Sequence, residues 1–277
     1  MAVKLLKQNT SARRNMSTAD FSVITKKRPE KSLIVKRKQK SGRNNQGKIT
    51  IRHRGGGVKR HIRMVDFKLD SVENAKIIAI EYDPNRTAYL ALVQLENGTK
   101  AYIPATTTMR VGKTINAGND VEIKAGNRLP LKNIPLGSVI CNIEMKLGGG
   151  AQIARSAGAR AQLAAKEGKF VQIKLPSGEV RLIHQDCKAT LGQIGNIDHQ
   201  NIKIGSAGRK RKMGLRPQVR GKAMNPVDHP HGGGEGSNPI GLKHPKTPWG
   251  KPALGKKTRR RKSTDKMIVR GRKKGKR

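Results

Sequence analysis

The chain has 277 residues and carries 60 Lys and Arg against 18 Asp and Glu, a net charge of +42, with hydrophobic residues at only 34%. Three Phe, three Tyr and one Trp are too few rings for one large core, and a charge of that size makes the free protein repel itself. A polyanion is the natural partner, with nucleic acid the first candidate, and no run of about eighteen apolar residues is present to span a membrane.

The charge is uneven along the chain. Residues 1–60 stand at +16, 61–200 at +5, 201–250 at +8 and 251–277 at +13. A centre of ordinary composition between polycationic extensions is the simplest reading. The start, MAVKLLKQNTSARRNMSTADF, has basic residues but no secretory apolar core, and it neither requires nor excludes a transit peptide. Cys141 and Cys187 lie far apart without a CxxC partner, which predicts reduced, mostly buried thiols rather than a disulfide or zinc framework.

Within 1–60, short apolar pieces (Phe21, Val23, Ile24; Leu33, Ile34, Val35) alternate with basic runs such as Lys36–Lys40. Gly55, Gly56 and Gly57 then sit between Arg52, His53, Arg54 and Lys59, Arg60. A backbone without side chains, flanked by cations, can approach a phosphate chain closely. A flexible basic linker is the other reading.

From about residue 62 the period becomes two, the signature of strands. Ile78, Ile80 and Tyr82 are expected on one face, and Tyr89, Ala91, Val93 and Leu95 on another. Asn97-Gly98 predicts a hairpin turn, since both residues accept positive φ. Val121 and Ile123 alternate with charged residues, and 125–137, with two prolines, reads as a connection. Val139, Cys141, Ile143 and Met145 form the next apolar face, followed by Val171, Ile173 and Leu175, and Pro176-Ser177-Gly178 turns the chain into Val180 and Leu182. Only Ala159–Lys166 has a helix-like composition. Many short strands and almost no helix predict an all-β protein, with two small barrels over 61–125 and 126–200 and basic extensions over 1–60 and 201–277.

Two loops of the centre place an arginine among small residues. Asp83-Pro84-Asn85-Arg86 offers Arg86, and GGGAQIARSAG (148–158) offers Arg155. Either docks on a phosphate or base edge, or is merely solvated at a loop tip. Beyond 201 the chain is basic and irregular, with Arg209, Lys210, Arg211, Arg216 and Arg220, and later Arg259, Arg260 and Arg261. Between them lies GKAMNPVDHPHGGGEG (221–236), whose prolines and glycines exclude a helix interior or central strand. A long loop of this kind is expected where RNA orders it.

So few aromatics argue against a sheet that reads single strands by stacking several bases, and no helix-turn-helix, zipper or zinc finger is visible. Recognition of a folded RNA by shape and phosphates is what remains.

The segments GRNNQGKITIRHRGGGVKR (42–60), YDPNRTA (82–88), GGGAQIARSAG (148–158), LPSGEVR (175–181), MNPVDHPHGGGEG (224–236) and TPWGKP (247–252) together resemble the bacterial-type "L-two" family of the large ribosomal subunit, over essentially the whole chain. The resemblance implies an OB-like barrel followed by an SH3-like barrel. It implies primary binding to large-subunit rRNA, contact with small-subunit rRNA at the subunit interface and with neighbouring ribosomal proteins, and support for tRNA binding and peptide-bond formation. It places the protein in the cytoplasm, in the ribosome. Arg86 and Arg155 stand where the family contacts RNA, and His229 is the residue its catalytic debate concerns. Ser237 stands where relatives often carry Arg or Lys, so one phosphate contact is expected to be missing there.

Asp228-His229 invites a general-base reading, since imidazole titrates near neutrality. Adjacent residues of an extended segment point to opposite sides, and no serine or cysteine nucleophile is near, so the expectation is that His229 and His231 hydrogen-bond RNA and catalyse nothing. His-Pro-His lacks zinc-ligand spacing. No cofactor is expected, and magnesium is assigned to the RNA. The rivals are a DNA-packaging protein, which would need neither the strands nor the HPHGGG loop, and a hydrolase or transferase using His229.

Overall fold

Strands supply most of the regular structure of the computed structural model, with short 3-10 turns making up much of the rest, and the described residues are 3–69, 72–236, 238–254 and 263–272. The only α-helix among them is Ala207–Lys212, inside the basic C-terminal stretch. Its Arg209–Lys212 cations lie in the last turn, where they complement the negative end of the helix dipole. No described helix is long and apolar enough to cross a membrane. The chain divides into two compact units: Met1–Lys38 with Lys59–Ser206 and Thr264–Arg277, and Gln39–Val58 with Ala207–Ser263.

An eleven-stranded sheet runs through the larger unit. Its spatial order is Lys100–Pro104, Leu90–Gln94, Val72–Glu81, Thr114–Ala117, Arg128–Pro130, Lys188–Leu191, Val139–Cys141, Ala161–Glu167, Phe170–Lys174, Val180–His184, Ile268–Arg270. Neighbours are antiparallel except at the seam between Thr114–Ala117 and Arg128–Pro130, a parallel contact of one residue pair, Ala117 with Arg128. Two separate cores flank that seam. Ala75, Ile77, Ile80, Tyr89, Ala91, Val93 and Ile103 centre one, and Leu129, Ile140, Ile143, Leu163, Val171, Ile173 and Ala189 the other.

Tyr89, Ala91 and Val93 face the core as expected, but Leu90 and Leu92 are buried too, in a second cluster with Ala79 and Tyr102. The face expected from Ile78, Ile80 and Tyr82 is corrected by a bulge: Ile77 pairs with Val93 and Ala79 with Leu92, leaving Ile78 as the extra residue. Ala75 and Ile77 point inward before the bulge and Ile80 after it, while Tyr82 is exposed. The Asn97-Gly98 hairpin forms as a three-residue loop closed by Leu95 and Thr99, with Gly98 at φ 77° and Asn97 outside the left-handed region.

From residue 121 onward the structure departs from the pattern in four places. Val121 and Ile123 lie in an irregular loop, and Ile123 is exposed. The proline-bearing stretch read as a connection is a buried strand, Arg128–Pro130, followed by core residues Leu131 and Ile134. Asn142, at φ 49°, breaks the alternation, so Ile140 and Ile143 share the core while Val139 is exposed. Ala161–Glu167, overlapping the stretch of helix-like composition, is a strand between Val139–Cys141 and Phe170–Lys174, and its inward Ala161 and Leu163 seal the core. Here packing between partners overrides local propensity. Arg128 is buried with Glu144, its Nη2 2.9 Å from Oε1, while Nη1 donates to the Asn142 carbonyl at 2.7 Å. Both cysteines are free and buried, and burial pushes the Cys141 thiol up to about 12 and that of Cys187 to about 11.

Parts of the basic N-terminal stretch are built into this unit. Ile34–Lys36 pairs with His61–Arg63, Val23 and Ile24 pack on the first core, and Leu33 packs on the Ala79–Tyr102 cluster. Tyr102 accepts the Glu30 backbone N–H at 2.8 Å and donates to buried Glu81 at 2.6 Å. Ile268–Arg270 extends the sheet beside Val180–His184.

Candidate nucleic-acid interface

In the larger unit, the two arginine loops come together on Phe67. The Arg155 guanidinium carbon lies 4.5 Å from the ring centroid and that of Arg86 5.5 Å, both within cation–π range. Arg86 Nε also donates to buried Asp83 at 2.6 Å, and Arg155 Nη1 donates to the Ala151 carbonyl at 3.0 Å. The loops are cross-tied where Ala157 N–H donates to Thr87 Oγ1 at 3.0 Å, and Ala151 N–H ties the second loop to the Phe67 carbonyl at 2.8 Å. Arg155 is exposed and Arg86 half-buried, so a pair of cations is presented in fixed geometry. Nothing local in the sequence pointed to Phe67. Arg60 is held inward, its Nη1 donating to the Pro84 carbonyl at 2.9 Å, while Lys59 is exposed.

In the smaller unit, 53–58 lies along 211–216. Gly55 N–H donates to the Gly214 carbonyl and Val58 N–H to that of Lys212, both at 3.0 Å, and Arg216 N–H donates to the His53 carbonyl at 3.0 Å. The glycines serve this approach. A Cβ on Gly57 would stand 2.9 Å from the Gly214 backbone, and one on Gly56, at φ 63°, would collide with the Arg211 guanidinium. Arg211 Nη1 meanwhile donates to the Gly55 carbonyl at 2.6 Å. At Gly56 and Gly57 the absence of a side chain lets the backbone approach the protein's own chain.

Beside this pairing opens a cleft of about 1080 Å³. Arg52, Arg54, Lys210, Arg211, Arg216 and Arg220 line it with His53, and no Asp or Glu does. Uncompensated cations around a concave wall focus a positive field into it. Arg209 is half-buried on the short helix, outside this lining.

The HPHGGG loop is closed by its own backbone. Asp228 N–H donates to the Asn225 carbonyl at 3.0 Å, Gly232 N–H to that of His229 at 2.8 Å and Gly233 N–H to that of Met224 at 3.0 Å. His229 is 7% exposed, and its Nδ1 accepts the His231 N–H at 3.0 Å. An amide can only donate, so the proton of neutral His229 sits on Nε2. The two imidazole centroids are 4.7 Å apart, and His231 Nε2 accepts the Lys246 N–H at 2.8 Å. That bond reaches the hairpin carrying Trp249, over which Arg52 sits with its guanidinium carbon 5.2 Å from the ring centroid. Arg259, Arg260, Arg261 and Ser237 lie outside the described residues. Among the described residues, no three His, Cys, Asp or Glu side chains gather as a metal set.

An all-β protein that gathers cations on crossed loops and around an acid-free cleft has the composition of the nucleic-acid-binding class. Residues 30–117 match the family model described as "Ribosomal Proteins L2, RNA binding N-terminal domain", and residues 124–250 match "Ribosomal Proteins L2, C-terminal domain". The chain belongs to the ribosomal protein L2 family. Its architecture is an OB-like barrel followed by an SH3-like barrel with long basic extensions, and it is a structural, RNA-binding protein of the large ribosomal subunit, with rRNA and ribosomal proteins as partners.

Proposed function

We propose that the protein binds large-subunit rRNA at two separate places, through Arg86 and Arg155 in the larger unit and through the cation-lined cleft in the smaller one. By joining rRNA elements distant in sequence it supports subunit association, tRNA binding and peptide-bond formation, in the cytoplasmic ribosome, with small-subunit rRNA reached at the subunit interface. The cleft, with six Lys and Arg and no carboxylate in its lining, is the observation that carries this reading. Magnesium in this reading belongs to the RNA.

His229 acts here as a structural residue. What supports this is its burial, the use of its Nδ1 lone pair by the His231 N–H, and the Gly221 backbone against its ring, where a Cβ would come within 2.5 Å of Cε1 and Nδ1. A general base needs a free lone pair within reach of the proton it takes.

Footprinting of the whole protein on large-subunit rRNA tests the two-site reading. Arg86→Ala with Arg155→Ala should lose protection at one RNA region, and Arg216→Ala with Arg220→Ala at another. If both pairs thin protection evenly along the RNA, the reading fails.

A further inference from the structure

Trp249 is the only tryptophan in the chain and is 73% exposed. Large aromatics are ordinarily buried on average, so a rigidly displayed one calls for an occupant. The display is rigid. Thr247 N–H donates to the Lys251 carbonyl at 2.7 Å, Gly250 N–H to the Thr247 carbonyl at 2.9 Å, and Lys251 N–H to Thr247 Oγ1 at 3.2 Å. Lys246 and Pro252 bridge below this tip, Gly250 takes the turn at φ 75°, and Pro248 fixes its own φ. His231 holds the hairpin's base through the Lys246 N–H.

The ring's neighbours suggest what fills the space. Arg52 sits at the indole, and Lys246 and Lys251 flank the tip. An apolar protein pocket would have to desolvate these cations, and a bare phosphate gains nothing from an indole. A nucleotide matches both halves, with a flat base for the ring and a phosphate for the cations. We propose that Trp249, with Arg52 beside it, is a stacking site for an unpaired nucleobase of the bound RNA. This rests on the RNA-binding reading and adds a single-base subsite to it.

Because Trp249 is the sole tryptophan, the emission of the full-length protein reports on this site alone. Titration with a large-subunit rRNA transcript should quench it strongly, whereas inorganic polyphosphate, which has charge but no bases, should not. Trp249→Leu should weaken transcript binding about tenfold and Trp249→Tyr much less, as expected for one lost base stack. Salt-dependent transcript binding with unquenched emission overturns the stacking site and leaves the RNA reading intact. Equal quenching by polyphosphate overturns it as well, since the ring would then report only neutralisation of Arg52. Emission that changes only in the assembled subunit would mark a protein pocket and likewise sink the proposal. If the transcript does not bind at all, the underlying reading falls, and the subsite with it.

Discussion

At Gly221 the chain runs against the His229 ring with no room for a methyl group. The imidazole is therefore shaped by its surroundings: backbone on one side, the His231 amide on Nδ1, and the second imidazole 4.7 Å away. In otherwise complete ribosomes, His229→Ala should leave the chemical step of single-turnover peptide transfer within a few-fold of normal. Loss of a general base typically costs about 10²–10⁴-fold, so a drop in that range would restore the catalytic reading. At this scale the sequence was legible in residue identity and poor in partners. HPHGGG marked an unusual loop, but the bond from Lys246 to His231 spans 15 positions of irregular chain that no period describes.

Among the elements, the two arginine loops depend on a ring that neither of them carries. Phe67→Leu keeps the backbone bond from Ala151 and most of the apolar volume but removes the π face beneath Arg86 and Arg155. We expect rRNA affinity to fall several-fold, Phe67→Tyr to retain it, and the effect to shrink in an Arg155→Ala background and vanish when Arg86→Ala is added. Full additivity with Arg155→Ala in a double-mutant cycle would show that Phe67 does not work through that arginine. Most strands were legible from period two, though not Ala161–Glu167, and both turns, Asn97-Gly98 and Pro176-Ser177-Gly178, form. Strand phase was not, because the bulged Ile78 and the left-handed Asn142 each flip the inward face. Arg128–Pro130 was hidden for another reason. Its inward cation is tolerable only beside Glu144, whose partnership a linear pattern does not display.

For the whole molecule, charge sets the salt dependence of binding. Arg216→Gln and Arg220→Gln should each reduce the slope of log affinity against log salt by about one, because each removes one counterion-releasing contact. Arg211→Gln should cost more affinity than its single charge explains, since Arg211 also clasps Gly55. Equal losses from all three, measured by filter binding across a salt series, would remove that distinction. The barrels were legible as two alternating segments, and the charge map marked the flanks. The joining of 39–58 to 207–263 was not legible, because irregular segments carry no signal of their partner.

That joining has a consequence for the order of events during synthesis. Gly55 leaves the translating ribosome well before Gly214, the residue whose carbonyl its amide will occupy. Until then the segment carrying Arg52, Arg54 and its three glycines has cations and unsatisfied amides but no companion strand. The nascent chain is thus most adhesive to stray polyanions while the two barrels are already able to close. The smaller unit can pair only once residues 212–216 have been made.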